Sequence, residues 1–94
     1  MAQARRVQGV STKVEVKPNG IFVTYHGTVV AQSQGRTITL RSGGYETATT
    51  KLRMNQFANQ FWGGAFSVFQ FAGDWFVKIS GQAIPFVDGM SFSI

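Results

Sequence analysis

Thr12 to Lys17 alternates strictly, with Val14 and Val16 on one face and Lys13, Glu15 and Lys17 on the other. Such period-two alternation marks a strand with one buried face. Pro18-Asn19-Gly20 follows. Asn-Gly accepts the positive φ angles of a tight hairpin, so Ile21 to His26 is predicted to pair back on the first strand. Thr28 to Gln32 and Arg36 to Arg41 form a second hairpin around Ser33-Gln34-Gly35. Further on, Phe66 to Phe71, Trp75 to Ile79 and Gln82 to Phe86 read as short strands separated by Gly73-Asp74 and Ser80-Gly81. Pro85 has no N–H to donate, which places the last of these at a sheet edge or a strand end. Asp88-Gly89 is a final turn before Ser91 to Ile94.

Between the two groups of strands the period changes. Met54, Phe57, Ala58 and Phe61 follow i, i+3, i+4, i+7 spacing and make one apolar stripe of a helix. Thr49 or Thr50 is the predicted cap, because a threonine oxygen accepts from the unpaired amides of the first turn. Gly63-Gly64 stops the helix. At about 100° per residue, Asn55, Gln56, Asn59 and Gln60, with Leu52 among them, fall opposite the stripe and are expected to face solvent. Lys51 and Arg53 flank the stripe near its start. The pattern predicts an α+β fold: mainly antiparallel sheet of short strands, with one central helix over about 49–61 packed on it. Residues 11–94 form this single domain, behind a flexible basic arm at 1–10.

A length of 94 residues leaves room for one core. Hydrophobic residues are 44% of the chain and nine of them are Phe, which favours packing over disorder. No apolar run reaches the roughly 18 to 20 residues of a membrane helix, and Arg5-Arg6 lacks the hydrophobic stretch of a secretory signal. The expectation is a soluble intracellular protein with no membrane partner. Nine Lys and Arg against four acidic residues give a net charge of +5. Such a balance attracts polyanions, or simply keeps a Phe-rich domain in solution.

Catalytic chemistry finds little support. The chain has no cysteine, so disulfides, thiolate zinc sites and thiol nucleophiles are excluded. His26 is the only histidine, and Glu15, Glu46, Asp74 and Asp88 are the only carboxylates, set far apart. Neither a metal set nor an acid–base pair is apparent, His26 reads as a strand-end residue, and a non-enzymatic protein without cofactor or metal is expected. Gly43-Gly44 lacks the further glycines or Lys-Ser/Thr pair of a phosphate loop.

Two contact surfaces remain. Arg41, Thr49, Thr50, Lys51 and Arg53 gather cations and hydroxyls at the helix start, where an anion such as a nucleic-acid phosphate can be held. Leu52, Asn55, Gln56 and Asn59 form an uncharged face that suits a protein partner or self-association. Phe66, Phe69, Phe71, Trp75 and Phe76 serve either as core or, on an open sheet face, as platforms for single-stranded bases. Exposure of Trp62, Phe69 or Phe76 beside Arg41 or Lys78 shifts the weight from core to the second use.

The run from Gly43 to Gln56 resembles a block in small, uncharacterised tailed-bacteriophage proteins: Gly-Gly-aromatic, then Thr-x-Thr-Thr-Lys-x-Arg-Met-Asn-Gln. The likeness extends to His26 and Thr28 to Ala31, to Ser67-Val68-Phe69-Gln70 and Asp74-Trp75-Phe76-Val77, and to Ile84-Pro85-Phe86 with Asp88-Gly89-Met90, about residues 20–94. Tyr45 stands where Trp is more often expected. The resemblance implies a phage gene product made in the cytoplasm of an infected bacterium, and it carries no settled activity. The expected role is an accessory protein binding nucleic acid or another polyanion through the helix start and the arm. The alternatives are a module that modulates a host or phage protein, in takeover or anti-defence, and a minor virion component.

Overall fold

The computed structural model describes residues 9–94, so most of the predicted arm lies outside the described residues. Eight strands and one helix form a small α+β domain. β1 (Thr12–Lys17), β2 (Gly20–Tyr25), β3 (Thr28–Gln34) and β4 (Thr37–Leu40) form a meander that β8 (Met90–Ser93) extends into a five-stranded antiparallel sheet, order β1-β2-β3-β4-β8. Helix α1 (Ala48–Trp62) leads to a second antiparallel sheet of three strands, β5 (Phe66–Phe71), β6 (Asp74–Ile79) and β7 (Gln82–Pro85). Pro85 ends the edge strand β7, where no ladder needs its missing N–H.

The turns are finer than the residue pattern suggests. Asn19 does not take a positive φ; Lys17 pairs with Gly20, leaving Pro18-Asn19 as the central turn residues. Proline presets the φ of that first turn position, which outcompetes Asn-Gly there. Gly20 is needed for another reason: a Cβ on it would sit 2.3 Å from the Ser33 carbonyl oxygen on the neighbouring strand. The β5–β6 turn is Ala72-Gly73 rather than Gly73-Asp74, which brings Asp74 into β6 opposite Phe71. The β3–β4 turn likewise moves to Gly35-Arg36 and lengthens β3 to Gln34.

The helix cap is Thr47, not Thr49 or Thr50. Its backbone is extended (φ −102°, ψ 163°) and its Oγ1 accepts from the Thr50 N–H at 3.2 Å. Thr50 lies four residues before Met54 and is 1% exposed. The buried stripe thus runs one turn further back, and the cap moves with it. Thr47→Ala is expected to destabilise by about 0.5–2 kcal/mol. The check is thermal unfolding, in which a domain of this size loses about 4–8 °C per kcal/mol.

Met54, Phe57 and Ala58 are fully buried, as their spacing predicts. The Phe57 ring packs 5.6 Å from Phe61 and 6.3 Å from Phe66. Phe66 in turn meets Phe92 at 5.3 Å, joining the small sheet to β8 of the large one. Helix α1 lies against β5 on one side and β2 and β3 on another. It therefore has two buried flanks, which matters for the residues predicted to face solvent.

Candidate functional site

The amide row of the helix does not form an open face. Asn55 is 6% and Gln56 3% exposed, because Asn55 is covered by β5 and Gln56 lies under Arg53, which packs on Thr12 and Tyr25 of the first sheet. Asn55 Nδ2 donates to the Val68 carbonyl at 2.8 Å, and its Oδ1 accepts from the Val68 N–H at 2.7 Å. One side chain thereby closes the outer edge of β5. Leu52 and Asn59 remain half-buried at the rim, and Gln60 is exposed.

The cations predicted to converge at the helix start point in separate directions. Arg53 is 7% exposed and turned inward. It donates to Thr12 Oγ1 at 2.8 Å and Gln56 Oε1 at 3.1 Å, and its Cζ lies 5.7 Å from the Tyr25 ring centre. Lys51 Nζ sits 5.6 Å over the Trp75 ring and 3.5 Å from Gln70 Oε1. Arg41 donates to Gln32 Oε1 at 2.6 Å. Among the described residues none of these three has a carboxylate partner, and the ion pairs are Lys13 and Lys17 with Glu15, at 3.7 and 3.5 Å.

What does converge at the helix start is a cleft. Its walls begin with the β2–β3 turn, His26-Gly27, whose φ angles of 50° and 78° are those of a tight primed hairpin turn. This turn sets the His26 ring edge-on to Tyr25, centres 4.4 Å apart. A bulge follows: the register steps from Val23 opposite Ala31 to Thr24 opposite Val29, so Val30 is the extra residue and turns inward, 1% exposed.

The facing wall is the segment from Ser42 to Thr47. Ser42 N–H donates to Asp88 Oδ1 at 2.9 Å, while Ser42 Oγ accepts from the Gly44 N–H at 3.2 Å. Gly43, at φ 63°, lays its backbone directly on Thr28; a Cβ there would fall 2.7 Å from Thr28 Oγ1. The Gly-Gly step is thus a close-approach device as well as a strand-to-helix turn. It delivers Tyr45, 71% exposed, to the cleft mouth.

The space enclosed is about 450 Å³. Three rings line it, Tyr25, His26 and Tyr45, together with the hydroxyls of Thr28, Ser42, Thr47 and Thr50 and the apolar Val30. Among the described residues that line it, none is acidic. Of the predicted anion-site residues, Thr50 alone reaches this lining; Thr49 is half-buried nearby in sequence. Tyr25, His26 and Thr28 were outside the predicted site, and the signal for them is the His26-Gly27 turn, which fixes where both rings stand.

Among the described residues, no group of three or more His, Asp or Glu side chains could hold a metal, and no helix is long and apolar enough to cross a membrane. A family model described as Kyanoviridae Gp96 protein matches residues 1–93. No curated protein and no solved structure matches the chain.

Proposed function

The chain belongs to the Kyanoviridae Gp96 protein family, a phage protein family, and from that premise we propose a non-enzymatic accessory protein that binds single-stranded nucleic acid at the helix-start cleft. The observation that carries this reading is the lining: three rings, four hydroxyls and no carboxylate around about 450 Å³. Small-ligand clefts span roughly 300–1,000 Å³, so an unstacked base with its sugar fits. Base–aromatic stacking contributes about 1–3 kcal/mol per base and tolerates any sequence.

Charge supports the same partner. A net charge of +5 attracts a polyanion from a distance, and Arg41 and Lys51 are held by neutral amides that a phosphate can outcompete. Duplex reading by the helix is disfavoured, since Asn55 is buried against β5 and Gln56 beneath Arg53.

Fluorescence anisotropy with a labelled oligothymidylate tests the proposal. Binding is expected at low salt, weakening as salt rises. Tyr45→Ala is expected to weaken it about 5- to 150-fold without unfolding the domain, since Tyr45 is largely exposed. Failure to retain single-stranded DNA or RNA at low salt overturns the reading in favour of a protein-interaction module. An unchanged affinity in the Tyr45 variant also overturns it, by placing the binding outside the cleft.

A further inference from the structure

The three-stranded sheet has two unlike faces. Phe66, Val68, Trp75 and Val77 point inward and are buried. On the other face the register sets Phe69 opposite Phe76 and Phe76 opposite Pro85. Phe69 and Phe76 stack with centres 5.6 Å apart and planes 22° from parallel. Phe71, beside them and opposite Asp74, is 70% exposed. The helix meets this sheet at the β5 edge through Asn55 and on the inner face through Phe66, so no helix lies on the outer face, where Phe69 and Phe76 are half-buried.

Charge on this face has a particular order. Along β6 the outward positions read Asp74, Phe76, Lys78: an anion, a ring and a cation, at alternate residues. Both charged side chains are exposed. The row sums to zero, so a polyanion gains little there. It is instead self-complementary. A two-fold axis lying in an interface, crossing β6 at right angles over Phe76, sets a second β6 antiparallel above the first. Asp74 of each copy then stands over Lys78 of the other, and the stacked rings meet their equivalents. Asp74 and Lys78 are about 13–14 Å apart along the strand, and packed sheets are separated by about 10 Å, which a lysine facing an aspartate can span.

We infer that this face binds a second copy of the chain, forming a two-fold dimer with a ring cluster flanked by two Asp74–Lys78 ion pairs. The interface is isologous, the commonest closed arrangement. Three short strands present a small area, so the association is a weak, concentration-dependent one.

Sedimentation analysis over a concentration series tests this, with two charge reversals at exposed positions that do not threaten folding. The wild-type chain is expected to shift towards twice its monomer mass as concentration rises. Asp74→Lys and Lys78→Asp each place like charges across the axis and are expected to raise the dissociation constant at least about tenfold. An equal mixture of the two variants is expected to recover association, because each then supplies the charge the other lacks. A wild-type chain that stays monomeric throughout, or single reversals that associate like wild type, overturns the dimer. A monomer whose oligothymidylate binding is lost on Phe71→Ser also overturns it and assigns the face to nucleic acid.

Discussion

Phe57→Ala is expected to destabilise the domain by about 3–5 kcal/mol, the range for truncating a buried aromatic side chain. Phe57 is fully buried and is the largest side chain in that state. It contacts Phe61 on its own helix and Phe66 at the start of β5. Removing the ring opens a void between elements that backbone hydrogen bonds hold in place, so the site collapses only in part. Small domains have about 5–15 kcal/mol of stability, and this one change consumes about a fifth of it or more. Chemical denaturation should show a lower midpoint with an unchanged slope, and thermal unfolding a fall of more than about 12 °C. Phe71→Ala, at a largely exposed position, is the comparison: in dilute protein it should move stability by no more than about 0.5 kcal/mol. Equal effects at the two positions would contradict the packing described.

Asn55→Ala should cost about 2–5 kcal/mol, although it removes only a small polar side chain. Asn55 satisfies both the N–H and the carbonyl of Val68, which is itself 2% exposed. Each buried polar group left unpaired costs about 1–3 kcal/mol, and water has no easy route to either. Hydrogen exchange gives the specific signature. The Val68 amide, protected by a side chain rather than a strand, should lose protection far more than its neighbours in β5. Asn59→Ala, one turn along on the half-exposed rim, should change stability by no more than about 0.5 kcal/mol. A similarly mild Asn55→Ala would mean that the edge of β5 is closed by something else.

The strands were largely legible because alternation and turn residues act locally. Thr12–Lys17 and Phe66–Phe71 occupy the predicted residues, and the helix departs from its predicted span by one residue at each end. The surface of the helix was not legible. Periodicity identifies one buried flank, and a single sheet needs only one. Here the strands divide between two sheets, so Asn55, Gln56 and Arg53 are covered despite their polarity. The cleft was hidden for a related reason. Tyr25-His26 and Tyr45 come from two separate segments, which the His26-Gly27 turn, the Val30 bulge and the contact of Gly43 with Thr28 bring together. The predicted cations stand apart because they are spaced along a helix and a strand end, and each has a different neutral partner.

Arg53 is a cation shielded from solvent, with two neutral acceptors and no carboxylate, lying against the Tyr25 ring that lines the cleft. Charge in such a place polarises its surroundings through protein rather than through water, and mobile counterions cannot gather around it. In ordinary buffer dissolved ions screen attraction between exposed charges beyond about 8–10 Å, but they act less on a buried source. The attraction of Arg53 for an anion seated in the cleft is therefore screened less than that of a surface cation. Electrolyte should thus erode the approach of an anionic ligand more than its residence once seated.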